Sequence, residues 1–228
     1  MPDRTEKGLR SDHRRRYEGV RVKHWSGKNS LKIYNKAGNI LGVETTINDP
    51  RSFKVFRQPN DDPSRTPSWQ RMRKGVADLH RRSQVSQRSN ERYLESLVAA
   101  KTDEKVKEVF DEVSQRVESE GKTFRALNLF KSHDYQLLSF LAKGEWNING
   151  FRNRDLCNSL GEIPVTEKER KRLCGRVSRQ IRLLRAHGLV RKVPHTHRYV
   201  LTKKGMQLYP LVRSFERLDS KTVMDKVA

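Results

Sequence analysis

Cysteine is almost missing from this chain: 228 residues carry two, Cys157 and Cys174. Two cysteines without His or Asp at ligand spacing make neither a disulfide framework nor a zinc site, and each reads as a small apolar residue on a helix. Apolar residues are also scarce, at 34% with 7% aromatic. That supplies two small cores better than one large one. No run of about 18 apolar residues occurs and mean hydropathy is −0.90, so no membrane-spanning helix and no membrane partner are expected. The first ten residues have no apolar signal region, and the expected location is cytoplasmic. Neither a Gly-x-x-x-x-Gly-Lys-[Ser/Thr] phosphate cradle nor a dinucleotide glycine fingerprint occurs, and no cofactor or metal is expected. The last shortage is of acid: 27 Asp+Glu stand against 49 Lys+Arg, a net charge of +22. A field of that size attracts phosphate polyanions, so nucleic acid is the default partner.

What is present is clearest over residues 166–201. Leu173, Val177, Ile181 and Leu184 recur at helical spacing and form one apolar stripe. Lys168, Arg172, Arg176, Arg179 and Arg182 lie around the other side. A charged face is ordinarily just a solvated face; the large cationic excess is what turns this one into a binding candidate. His187-Gly188 ends the helix, since glycine closes a last turn in the left-handed conformation without strain. Two strands, 189–193 and 198–201, follow, joined by Pro194-His195-Thr196-His197, a connection whose proline rules out a tight two-residue turn. Helices over 135–141 and 151–160 precede, with 161–165 as the turn.

This segment, with its GLVRK and HRYVLTKKG runs, resembles the winged-helix family, in particular small bacterial and archaeal regulators whose last strand enters a T-x-x-G helix start. The resemblance covers about the last hundred residues. It implies a helix-turn-helix whose third helix, 167–187, enters a major groove through Arg172, Arg176 and Arg179, with Lys168 and Arg182 beside them. Lys192, His195, His197 and Arg198 of the wing would then touch phosphates.

Upstream, strand-like runs occupy 19–25, 30–36, 40–47 and 52–56, the middle two joined by Ala37-Gly38-Asn39, a hairpin signal. In the obvious register Leu31 and Ile33 share a face with Leu41, Val43, Thr45 and Ile47. Lys32, Tyr34, Lys36, Glu44 and Thr46 share the other. Tyr34 and Glu44 read as cross-strand partners, Glu44 pairing with Lys32 or Lys36, and His24 as a packed or surface residue. The run VKHWSGKNSLKIYNKAGNILGVETTIND also resembles the hairpin of rolling-circle replication-initiation proteins of phages and plasmids. That resemblance implies Tyr34 as a nucleophile on DNA phosphate and Glu44 as a metal-binding acid. Gly42 stands where that family has arginine, and no His-hydrophobic-His pair occurs; His195-Thr196-His197 has the spacing with a polar middle residue.

The expected organisation is α+β: a basic disordered arm (1–18), a small antiparallel sheet region (19–57), a loop (58–68), a helical segment (69–130) in which Gly121 ends the second helix, a winged-helix domain (131–218) and a tail (219–228). The helical segment either covers the sheet or pairs across a dimer axis, so a homodimer stays open. The leading functional expectation is a non-enzymatic DNA-binding protein. A DNA-nicking or replication-initiation enzyme using Tyr34 and a metal is the second. The third is an accessory subunit of a nucleoprotein complex, binding RNA or single strands by stacking bases on Trp25, Tyr34, Phe53 and Phe56.

Overall fold

Alternating apolar and polar residues become an antiparallel sheet in the computed structural model, which describes residues 9–16, 19–60, 64–99, 104–160, 166–210 and 212. Its strands are β1 (Leu9–Arg16), β2 (Gly19–Ser26), β3 (Asn29–Lys36) and β4 (Ile40–Thr46), neighbours in that order. A separate hairpin, β5 (Lys54–Arg57) with β6 (Ser68–Arg71), precedes helices α1 (Leu79–Ala99) and α2 (Glu104–Val113) and the small hairpin β7 (Val117–Ser119) with β8 (Lys122–Phe124). Then come α3 (Ser132–Leu141), α4 (Trp146–Asn149), β9 (Phe151–Arg152), α5 (Asn153–Ser159) and α6 (Glu167–Ala186). The hairpin β10 (Val190–Lys192) with β11 (Arg198–Leu201) and the short α7 (Lys203–Met206) complete the described elements. The protein is mixed α+β. Two units divide it: residues 1–93 with 144–149, and residues 94–143 with 150–228.

In the first unit β3 and β4 pair Leu31 with Thr45, Lys32 with Glu44, Ile33 with Val43 and Tyr34 with Gly42, the register expected from the alternation. Lys32 Nζ lies 2.7 Å from Glu44 Oε2. The apolar face is covered by Tyr93 of α1 and Ile148 of α4, which pack on Leu31 and Ile33 with Val22 and Val43 at the margin. A second cluster joins Phe53, Met72 and Val85, with Ile47 against it. Polar contacts hold the returning 144–149 segment: Ser89 Oγ is 2.7 Å from Ile148 O, and Arg92 Nε donates to Asn147 O at 2.9 Å.

His24 is a packed residue, 6% exposed. Ser11 donates its hydroxyl to Glu145 Oε1 (2.8 Å), so the 2.6 Å contact between Ser11 Oγ and His24 Nδ1 is one in which the ring N–H donates. Nε2 then accepts from the Tyr93 hydroxyl at 2.9 Å. Burial disfavours the imidazolium and depresses the His24 pKa below its ordinary value, Glu145 opposing this and His13 adding to it.

The structure departs from the sequence reading in several places. The described part of the basic arm is strand β1, paired with β2 along its length from Leu9 opposite Ser26 to Arg16 opposite Gly19. Backbone pairing is indifferent to side-chain polarity, and Asp12 offsets the repulsion among cations by lying 2.9 Å from Arg14 Nε and 3.0 Å from Arg21 Nη2. The 69–130 segment is not helical throughout: Trp69 belongs to β6, opposite Phe56, because paired aromatics suit a pleated hairpin. The helix opened near Glu104 stops at Val113, and Gly121 (φ +68) with Glu120 (φ +52) forms the β7–β8 turn, both in the left-handed region that such turns require. The fourth run of the sheet region begins at Lys54, since Asp49 caps a 3-10 turn over Pro50–Ser52. Nor is the sheet region a domain by itself; its apolar face needs α1 and residues 144–149 to exclude water. The expected turn at 161–165, the tail at 219–228 and the first eight residues of the arm lie outside the described residues.

Candidate nucleic-acid interface

The second unit contributes a helix (α3), a two-residue strand (β9), two further helices (α5, α6) and a hairpin whose inner strand pairs with β9, giving the sheet order β10-β11-β9. The segment expected to be helical from residue 151 spends Phe151 and Arg152 on β9 before α5 starts. Asp155 accepts from the Arg152 N–H at 2.7 Å and closes that first turn. Gly150 sits at φ +59, where an added Cβ would meet the Tyr199 carbonyl and the Val200 side chain, so only glycine lets β9 approach β11.

α6 starts with a reciprocal cap. Thr166 Oγ1 accepts from the Glu169 N–H at 3.2 Å while Glu169 Oε2 accepts from the Thr166 N–H at 3.1 Å. Leu173, Val177, Ile181 and Leu184 are all buried, so the apolar stripe is core as the spacing requires. Gln180 joins them and donates to His133 of α3 at 2.6 Å. Ser178 Oγ accepts from Asn153 of α5 at 2.9 Å. His187 closes the helix and Gly188 follows at φ +70.

Opposite the stripe, Lys168, Arg172, Arg179 and Arg182 are exposed, and Arg176 is half-buried. The nearest acids of the helix serve its first turn: Glu167 takes a two-pronged bond from Arg170, 2.8 Å to each oxygen. Among the described residues no carboxylate pairs with Lys168, Arg172, Arg179 or Arg182. The loop beyond the helix exposes His195 (φ +57) and His197, with Lys192 exposed on the adjoining strand.

Arg198 does not belong with them. Its guanidinium is turned inward, with Nη1 3.5 Å from the Gly150 carbonyl. Burial, then the neighbouring Arg152, pushes its pKa down to about 10. Sequence alternation could not distinguish this arginine from the exposed Lys192, because β11 is the middle strand of its sheet. Arg191 on β10 and Arg154 on α5, both exposed, are further cations of this helix-and-hairpin module that the sequence reading did not pick out. Both cysteines are free thiols: Cys157 is buried, donates to Asn153 Oδ1 at 3.2 Å and is pushed up to about 11 by burial, whereas Cys174 is exposed rather than packed.

In the first unit Tyr34 and Glu44 are brought together on the wet face of the sheet. The hydrogen bond with Glu44 raises the Tyr34 phenol above its ordinary pKa, with Lys32 opposing. Lys32 Nζ lies 4.8 Å above the Tyr34 ring and Lys23 Nζ 5.0 Å above that of Trp25. Of the four aromatics expected to stack on bases, Phe53 is buried in the second core cluster, while Phe56 is exposed. No group of three His, Cys, Asp or Glu residues with metal-binding geometry exists among the described residues. No helix among them is long and apolar enough to cross a membrane. Comparison with protein-family models, curated proteins and solved structures returns no match for this chain.

Proposed function

We propose that this protein is a nucleic-acid-binding protein whose second unit is a winged-helix module reading duplex DNA. The observation that carries the proposal is the polarity of α6: a stripe of four buried apolar residues on one side, and on the other Lys168, Arg172, Arg179 and Arg182 exposed without carboxylate partners among the described residues. A helix of 20 residues fits a major groove, and the order helix, strand, helix, helix, hairpin supports the assignment. Arg172, Arg176 and Arg179 face the groove in this reading; Lys192, His195 and His197 touch the flanking phosphates. Arg198 is left out because it is turned inward.

The test is titration of a labelled duplex with the full chain at several salt concentrations, comparing wild type with Arg172→Ala and Arg179→Ala. Each substitution weakens duplex binding by about 1–3 kcal/mol, the loss expected of an arginine that reads the groove. Unchanged affinity in both variants at low salt would reject the reading.

A further inference from the structure

A second patch joins exposed aromatic surface to unneutralised positive charge, and it lies in the first unit on the β5–β6 hairpin. The register opposes Phe56 to Trp69 and Lys54 to Arg71, so these four side chains share one face of the two-stranded ribbon. Phe56 is 57% exposed and Trp69 37%. Their rings meet edge to face, with centroids 5.6 Å apart. Arg81 of α1 donates to the Lys54 carbonyl at 2.9 Å, and its guanidinium lies 5.8 Å from the Trp69 ring centroid. No carboxylate pairs with Lys54, Arg71 or Arg81 among the described residues; the nearby Asp78 is buried and taken up by Arg73 and Arg57.

We infer that this face binds single-stranded nucleic acid, one or two bases stacking on Phe56 and Trp69 while Lys54, Arg71 and Arg81 meet the phosphates. The wet face of the four-stranded sheet has the same residue types but is less suited. There Asp12 holds Arg14 and Arg21, and Glu44 holds Lys32. On the hairpin the cations have no such acidic partners. Size argues for a base rather than a folded protein. Aromatic side chains offer about 150–250 Å² each, so the two rings expose on the order of 200 Å² together, far below the roughly 800 Å² per partner of a stable protein interface. Aromatic platforms flanked by cations bind single strands with little sequence preference, because every base has a π face. Phe56 and Trp69 do not carry the fold, as both stand outside the buried clusters.

The experiment uses the full chain with a labelled oligothymidylate and, separately, a labelled duplex at one salt concentration. Phe56→Ala/Trp69→Ala weakens oligothymidylate binding by roughly tenfold or more, with duplex affinity unchanged, and Arg71→Glu produces the same pattern. Circular dichroism and thermal melting confirm that the variants stay folded. Arg172→Glu/Arg179→Glu does the reverse, weakening the duplex complex alone, so failure of this inference is separable from failure of the winged-helix reading. Unchanged oligothymidylate affinity in both hairpin variants overturns the inference. So does a wild type that self-associates in sedimentation while the double-alanine variant is monomeric with undiminished single-strand binding, since the rings would then be a protein contact.

Discussion

Tyr34 lies across Gly42 on the neighbouring strand: a Cβ built on Gly42 would stand 2.6 Å from the Tyr34 hydroxyl oxygen and 2.7 Å from Cε1. The bare glycine is what lets the ring lie flat and its hydroxyl reach Glu44. Replacing a strand glycine by alanine usually stabilises by roughly 0.5–1 kcal/mol through backbone entropy. Here the ring must swing away instead. Gly42→Ala is expected to leave the melting temperature unraised and to bring the Tyr34 phenol pKa back down toward its ordinary value, as measured by NMR titration. A clear rise in melting temperature with an unmoved phenol pKa refutes the packing described.

The same contact bears on nicking chemistry. A tyrosine nucleophile must shed its proton, and the bond to Glu44 works against that. Single-stranded DNA incubated with the protein and magnesium or manganese is expected to yield no phosphotyrosyl adduct. An adduct that Tyr34→Phe abolishes makes the protein a nicking enzyme instead.

Acid should destabilise both units through buried histidines. Burial lowers the pKa of His24 and of His187; His187 Nε2 donates to the Arg125 carbonyl at 2.9 Å, while its Nδ1 is buried with no partner among the described residues. With folded pKa values below about 6.5, the unfolded chain takes up protons first, so stability is complete above about pH 6.5 and declines as pH falls through the folded values. Urea unfolding at about pH 7.5 and about pH 5.5 is expected to show this loss, reduced in His24→Gln. Equal stability at the two pH values in wild type contradicts it.

Arg125 and Asp134 are an asymmetric pair. Asp134 is 1% exposed and accepts at 2.7 and 2.6 Å from the Arg125 guanidinium and at 2.9 Å from the Asn128 N–H. Burial opposes its charge, but these bonds hold the carboxyl below its usual range. Arg125→Met strands a buried carboxylate and should cost about 3 kcal/mol. Asp134→Asn leaves a half-exposed guanidinium that water can solvate, and should cost about 1–2 kcal/mol. Chemical denaturation of the two variants gives the ordering; a milder Arg125→Met would show that the carboxylate is not dependent on its partner.

In the proposed reading, α6 separates folding from binding along its own circumference. Leu184→Ala should cost about 2–5 kcal/mol through the cavity it leaves, and Thr166→Ala about 1 kcal/mol through the lost cap. Arg182→Ala should change stability by less than about 0.5 kcal/mol while weakening duplex binding. An Arg182→Ala protein that unfolds readily would mean that the arginine supports the core.

Local periodicity carried much of this protein. The 31–36 and 40–46 alternation specifies the β3–β4 register and its two faces because a slip of one residue would send Leu31 and Ile33 into water. The three- and four-residue spacing from Leu173 to Leu184 specifies α6, its buried side and hence its basic one. Other features depend on partners distant in the chain. LRSDHRRR has no apolar alternation, and it becomes β1 because an open edge of β2 offers backbone hydrogen bonds. Phe56 and Trp69 meet across a loop containing three prolines and no apolar residue, and nothing local to Trp69 distinguishes a strand from a helix start.

Sequence by itself therefore determined which segments have one apolar side and how much positive charge the chain carries, since both follow from residue order and composition. Tertiary structure alone decided which cations remain in water. Lys192 and Arg198 flank one loop with similar chemistry, yet the edge strand leaves the first exposed and the central strand turns the second inward, where burial and Arg152 depress its pKa. It likewise decided that Ile148, more than a hundred residues from Leu31, closes the core beneath the sheet. An apolar face must be covered, and the chain covers it with the segment that its path brings near.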